Sequence, residues 1–335
     1  MTAAEILERI DAIDPQLQKA YLDSVRASVD AATVAEVERL IAAEDENGLA
    51  QLLGLGALSL LIESIRSAYI AGARFEMVAI FIPAADRPEI GRKEFDATLP
   101  PATAWIDQQA SQLRAQAQID VREAIRSVLS SRRVIGGVRT DRQAALDLVG
   151  RVSPQTGQRS GGLIGLPGNM VKYVENARRQ LLSGDPTQLK QYLDRSRRDR
   201  RYDKIVQRAI AAHKPVGAKE VDKMTGRYSE RLLKFHAEVI AKTSALESFS
   251  AGRERAWEQL VEQGLDRDRI EKEWRTRRDE KVRSSHVAMN GQRVILGQAF
   301  SGGGVLLRFP GDMSLGAGYD MTALCRCIVI YHLRK

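Results

Sequence analysis

The chain has 335 residues, 44% of them hydrophobic and 28% charged, with only 10 prolines. That is enough apolar side chain to bury a sizeable core, and it excludes wholesale disorder. The formal charge of +8 is unevenly spread: residues 1–100 carry 9 Lys and Arg against 17 Asp and Glu, and the remainder 42 against 26.

An acidic first hundred residues followed by a strongly basic remainder points to two surfaces with different partners. The basic one suits nucleic acid or an acidic protein ring, or is simply a soluble basic surface, because net charge speaks only of non-specific attraction. The longest apolar run, Leu52 to Ile62, stops at Glu63, short of the roughly 20 residues that span a bilayer. No membrane helix is expected. Met1 to Ile10 already carries Glu5 and Glu8 and shows no basic stretch leading an apolar one, so no secretory signal is expected and the protein is expected to begin in the cytoplasm. Cys325 and Cys327 are the two cysteines. They are too few for a disulfide framework and too close for an unstrained bridge along one strand, which predicts reduced thiols.

In chain order, residues 2–81 repeat apolar side chains at intervals of three and four, as in Leu7, Ile10 and Ile13, then Val34, Val37, Leu40 and Ile41, which predicts helices. Asp14-Pro15 reads as the N-cap and first-turn proline of a second helix. Pro83, Asp86, Arg87, Pro88, Glu89, Gly91, Pro100 and Pro101 describe an irregular connection and place a boundary near residue 100. Helical spacing resumes from Ala102 through Trp105, Leu113, Ile119, Val121, Ile125 and Val128 and halts at Gly136 and Gly137; Thr140 caps the helix that follows. The glycine-rich stretch at about 151–166 reads as an extended loop, a plain surface linker or an arm that orders against a neighbour. Helix returns over 167–264, with a long pattern from Val221 to Leu260 that Gly264 terminates. After Trp274 come short runs separated by turns, Val294 to Leu296, Val305 to Phe309 and Cys325 to Tyr331, the pattern of strands. The predicted fold is mainly α, an extended multi-helix body with a small C-terminal α+β module of short strands. Its parts are an acidic helical region 1–100, a basic helical body 101–264 and the module 265–335.

Two groups of residues carry chemistry. The run Leu193 to Lys204 packs Arg195, Arg197, Arg198, Arg200, Arg201 and Lys204 together, a density suited to phosphates. Asp194, Asp199 and Asp203 are interleaved, so helical ion pairs on a solvated face are the competing reading. Aromatics are 5% of the chain and no helix-turn-helix, zinc-finger or base-stacking signature appears, so sequence-specific DNA reading is not expected. In the last strand, alternation puts Cys325 and Cys327 on one side with Val329 and Tyr331, and Arg326 and His332 on the other. Two thiols facing together can hold zinc, with His286 and Asp312 as the further ligands available from the module; two small buried side chains in a strand are the alternative. His286 with Asn290, and Gly302 to Gly304 as a phosphate cradle, lack supporting partners. No P-loop, nucleophile elbow, HExxH or paired-carboxylate arrangement is present.

Taken together, WRTRRDEKVRSSHVAMNGQRV, then a phenylalanine, FPGD, and a CRC closing on a strand resemble the C-terminal domain of the Mu F-like family of phage head morphogenesis proteins. The positions that carry the resemblance are Trp274, Asp279, Arg283, His286, Asn290, Gly291, Phe300, Pro310, Gly311, Asp312, Cys325, Arg326 and Cys327. RYSERLLKFHAEVIAKTSALESFSAGRE, residues 227–254, looks like the helical lead-in of that family. The resemblance covers roughly residues 200–332, and the first 150 residues match no motif. Leu324 stands where the family usually has asparagine before the CRC, and Lys242 where relatives often have arginine. The resemblance implies a minor head protein of a tailed phage or prophage, associated with the portal vertex and acting in head assembly and DNA packaging or delivery. The expected partners are the portal protein, other head or scaffolding proteins, and packaged double-stranded DNA bound non-specifically; neither an enzyme activity nor a membrane partner is expected. Two competing readings are a metal-dependent nuclease or toxin-like transferase carried on a phage head module, and a transient assembly factor absent from mature particles.

Overall fold

The structure, a computed structural model, describes residues 2–55, 58–83, 94–131, 139–153 and 157–334. Of the described residues, 64% are helical, and short antiparallel strands are concentrated near the C-terminus. Predicted features at residues 84–93, at Gly136 and Gly137, and at 154–156 lie outside the described residues. Twelve α-helices and seven strands are described: α1 Ala3–Asp30, α2 Val34–Ala42, α3 Glu46–Leu52, α4 Ser59–Ala79, α5 Pro100–Ser131, α6 Asp141–Val149, β1 Arg151–Val152, β2 Arg159–Ser160, α7 Gly168–Leu182, α8 Pro186–Leu193, α9 Asp203–Ala212, α10 Ala218–Glu262, β3 Ile270–Arg275, α11 Ser284–Met289, β4 Arg293–Ile295, β5 Phe300–Gly302, β6 Val305–Leu307, α12 Tyr319–Thr322 and β7 Ile328–Leu333. No described helix is long and apolar enough to cross a membrane.

The chain forms two compact units. One comprises Met1–Tyr21, Leu60–Ala110 and Glu238–Lys335, the other Leu22–Ser59 and Ser111–Ala237. The first holds 23 Lys and Arg against 24 Asp and Glu and the second 28 against 19. The excess positive charge therefore belongs to the second unit.

Pro15 does not start a helix. It lies inside α1, where a proline costs about 3 kcal/mol. The buried stripe Ile6, Ile10, Leu17, Tyr21 and Val25, each side chain contributing roughly 1.5–3 kcal/mol on burial, outweighs that loss.

The first unit is organised around α10. Residues 245–257 of this helix are buried without interruption, so the helix is surrounded on every side. Small residues let α4 approach it: a Cβ on Gly72 would lie 2.2 Å from the Phe249 carbonyl oxygen. A Cβ on Gly252 would meet the Tyr69 carbonyl. Tyr69 itself stacks on Trp105 of α5, ring centroids 4.6 Å apart. Gln259 holds the segment before α5, its amide donating to the Glu94 carbonyl at 2.8 Å and its oxygen accepting from the Asp96 N–H at 3.0 Å. The helix ends at Gly264, φ +108°. There the Leu265 N–H reaches back to Leu260 and the Gly264 N–H to Val261, the reciprocal closure that a left-handed glycine permits.

Buried charges fasten this helix to the C-terminal module. Strands β4, β3 and β7 form an antiparallel sheet in that order, with Trp274 opposite Val329, and β5 and β6 form a separate hairpin. The fully buried Arg253 pairs with Glu76 at 2.6 Å and donates to the Val329 carbonyl at 2.8 Å. Glu76 also accepts the Trp257 indole N–H at 2.9 Å. Beside them the Lys272 ammonium reaches Glu254 at 2.7 Å and the Arg308 carbonyl at 2.8 Å, and the Tyr331 hydroxyl donates to Glu254 at 2.7 Å.

In the second unit, reciprocal capping boxes start α2 (Thr33 with Glu36) and α6 (Thr140 with Gln143). The glycine-rich stretch forms a hairpin, Arg151 opposite Ser160, and its return is packed inside the unit, with Leu163, Ile164 and Leu166 buried. Gly161 at φ +79° lies so close to Gly226 that a Cβ would sit 2.7 Å from its Cα. This return is thus held by its own chain. Arg178 is buried between Asp147 at 2.9 Å and Asp222 at 2.6 Å, and Arg139 and Arg151 each reach Asp147 at 3.2 Å.

Glu247, in the buried part of α10, accepts from the Gln109 side-chain amide at 2.9 Å. Burial, with a smaller push from Asp312, raises its pKa from 4.5 to about 8 against the opposing Gln109 hydrogen bond. The native chain then holds one more proton than the unfolded chain between those values, so this group's contribution is full below pH 4.5 and falls as pH rises towards 8. Glu247→Gln keeps a neutral acceptor, and the part of the pH 5 to pH 8 decline in urea midpoint due to this group should vanish in the variant. An equal decline in both proteins would contradict this.

Candidate functional site

The residues that carry the family resemblance converge in the module. Trp274, next to the end of β3 and fully buried, meets Phe300 edge-on at 5.2 Å and His286 at 5.5 Å between ring centroids. β5 approaches α11 through Gly302, where a Cβ would lie 2.3 Å from the Ser285 carbonyl oxygen. Gly303 and Gly304, at φ +60° and +80°, turn the β5–β6 hairpin, a two-residue loop whose central positions both need positive φ. The triple glycine is accordingly a turn. Asn290 accepts from the Thr276 N–H and hydroxyl, both at 2.9 Å, and the Gly291 N–H returns to the Trp274 carbonyl at 2.8 Å. Asn290 therefore holds the end of β3 and makes no pair with His286. Pro310 is buried, and Gly311, at φ +94°, lies against the Glu247 backbone, where a Cβ would come within 2.9 Å of the Glu247 Cα.

Cys325 and Cys327 precede β7, which begins at Ile328. Their convergence comes from a turn and not from strand alternation. Arg283 holds that turn, donating to the carbonyls of Asp320 at 2.8 Å and of Ala323, and Arg326 pairs with Asp279 at 2.7 Å. Leu324 sits in the left-handed region at φ +55°, its N–H donating to Thr243 Oγ1 at 3.1 Å. This reversal puts both sulphurs on one histidine nitrogen: His286 Nδ1 lies 3.4 Å from Cys325 Sγ and 3.6 Å from Cys327 Sγ. The ligand atoms of the three residues lie within 4.8 Å of one another. The group is closed to solvent, at 1% exposure for His286, 2% for Cys327 and 7% for Cys325.

The Cys327 thiol donating to Cys325, reinforced by His286, pulls the Cys325 pKa well down against its burial. Cys327 is pushed up by holding that shared proton and by burial, with Trp274 acting in the opposite direction. His286 Nε2 and Trp274 Nε1 are buried without a hydrogen-bond partner.

Asp312 does not join this group. Its carboxylate accepts from the Arg308 N–H at 3.0 Å and Nε at 3.2 Å, and from the Ser314 N–H at 3.0 Å and hydroxyl at 2.6 Å, so it closes the turn after Phe309. His332 lies 3.4 Å from Glu273, on the other side of the sheet edge as its alternation requires. The sequence reading missed the buried charges Arg253, Glu254, Glu76 and Lys272. Their signal was polar side chains inside ARFEMVA, SFSAGRERAW and IEKEWR, at positions where helix and strand periodicity call for apolar ones.

The basic run is not one helix. α8 ends at Leu193, a short 3-10 turn spans Arg200–Tyr202, and α9 starts at Asp203. The ion pairs are consequently not at helical spacing: Arg198 pairs with Asp203 at 2.8 Å and Arg201 with Asp199 at 2.6 Å. Arg195 donates to Gln180 at 3.0 Å, and Arg197 lies 3.6 Å over the Phe235 ring. Arg200 and Lys204 are exposed, as is Arg201 at 73%.

A scan against protein-family models, a search of curated proteins and a search of solved structures each return no match. The family resemblance therefore rests on the C-terminal residues themselves.

Leucine in the left-handed region costs roughly 1 kcal/mol, and asparagine is among the residues that tolerate it best. Leu324, at 42% exposure, gives up little burial in exchange. Leu324→Asn should raise the thermal midpoint by a few degrees; an unchanged or lower midpoint would show that the turn is not strained by its side chain.

Proposed function

We propose that this protein is a minor structural protein of a tailed-phage or prophage-derived head, associated with the portal vertex and acting in head morphogenesis and DNA packaging or delivery. The observation that carries the reading is the convergence of the resembling positions. Trp274, His286, Phe300, Cys325 and Cys327 form one buried cluster, and Arg283, Asn290, Gly291 and Arg326 hold the segments that bring it together. This cluster is closed to solvent.

The charge distribution supports the partner assignment. Packaged double-stranded DNA attracts a basic surface regardless of sequence, and the second unit carries the 28 to 19 excess of basic residues. Within the basic run, Arg200, Arg201 and Lys204 are the exposed cations that such a contact would use. The portal and other head or scaffolding proteins are the proposed protein partners, and the virion, assembled in the host cytoplasm, is the proposed location.

Quantitative mass spectrometry on purified DNA-filled heads tests this, counting the protein against the portal subunit and checking its length. A full-length chain at a fixed low ratio to portal is expected. Its absence from filled heads, or only a truncated remnant, would overturn the reading and favour the transient assembly factor.

A further inference from the structure

Two buried thiols and a histidine can be explained as packing, but the arrangement here has a feature that packing leaves unexplained. One nitrogen, His286 Nδ1, faces two sulphurs at once, at 3.4 and 3.6 Å. Protonated, Nδ1 has one hydrogen for two sulphurs; unprotonated, it has one lone pair for two sulphurs. Either way a polar contact goes unmade in a site with no access to water, and leaving a buried polar group unsatisfied costs about 1–3 kcal/mol. A cation satisfies all three groups together.

The two nitrogen–sulphur distances fit that occupant. A tetrahedral zinc with bonds of about 2.3 Å to sulphur and about 2.05 Å to nitrogen separates a nitrogen ligand from a sulphur ligand by about 3.5 Å. Both nitrogen–sulphur edges here match without any rearrangement. The ligand atoms are also fixed by their supports: His286 by α11 packed under Gly302, and the thiols by the Arg283 hydrogen bonds and the reversed backbone at Leu324. We propose that His286 Nδ1, Cys325 Sγ and Cys327 Sγ form a zinc site that staples α11 to the turn ahead of β7.

Binding involves no redox change. Zinc takes both sulphurs as thiolates and His286 as neutral imidazole ligating through Nδ1, any proton on those three atoms leaving to solvent, and two thiolates balance its charge. Trp274, with its indole N–H buried beside Cys327 and otherwise unpartnered, is placed to donate to a metal-bound sulphur and orient it. Among the described residues no further His, Cys, Asp or Glu belongs to the group. The described residues therefore supply three ligands, His286, Cys325 and Cys327. Its enclosure makes the role structural. The zinc site is independent of the assignment to a phage head and survives if that assignment fails.

The full chain, purified without chelators and under reducing conditions, should carry about one zinc per molecule by elemental analysis, the stoichiometry of one structural site. Cys325→Ser and His286→Ala should lower occupancy at least tenfold, while Asp312→Asn should retain it. Because a variant can lose metal by unfolding, the unaltered protein is also stripped and reloaded with cobalt(II) alone. Thiolate-to-cobalt charge-transfer absorption saturating at one equivalent is expected. No zinc and no cobalt uptake by folded wild-type protein, zinc unaffected by Cys325→Ser, or copper in place of zinc would each overturn the proposal.

Discussion

The burial of Arg253 is the constraint on which the first unit depends. A guanidinium at 2% exposure is tolerable only when its charge is matched and its donors are used. Glu76 from α4 and the Val329 carbonyl from β7 meet that need. One side chain on α10 thereby specifies where a second helix and the last strand must lie. The Gly72 and Gly252 contact lets the helices come close enough for the pair to form, and Trp257 closes the remaining oxygen of Glu76. The neighbouring Lys272, Glu254 and Tyr331 group repeats the logic one strand away. A core of this kind derives its definition from polar geometry as much as from apolar burial.

Much of the helical architecture was legible because it rests on local rules. The caps at Thr140 and Gly264 and the three-and-four spacing of α5 and α10 depend on neighbouring residues alone. Features set by distant contacts were not legible. Pro15 looks like a helix start until a continuous buried stripe carries α1 through it. The predicted strands begin after Trp274, yet IEKEWR is the central strand of the sheet, because Lys272 finds Glu254 eighteen residues away on α10. The same applies to the candidate site. Strand alternation brought Cys325 and Cys327 together on paper, whereas the turn at Leu324 brings them together in the fold, and His286 reaches them because α11 packs on Gly302. Asp312 seemed available only because its turn with Arg308 and Ser314 was not visible in the sequence.

The two units express different physical solutions. The first is nearly neutral and builds a closed interior with a cysteine–histidine cluster at its C-terminal end. The second carries the positive excess, spends part of it on the internal Arg178, Asp147 and Asp222 group, and presents the remainder to solvent.

The most direct test of this account is a double-mutant cycle on the buried charge pair, using Glu76→Gln, Arg253→Met and the combination, followed by urea unfolding. Each single change leaves a buried group without its partner and should cost about 3–5 kcal/mol, with the double variant costing well below the sum of the two. Strictly additive losses, or single changes within about 0.5 kcal/mol of the parent, would contradict the claim that this pair organises the unit.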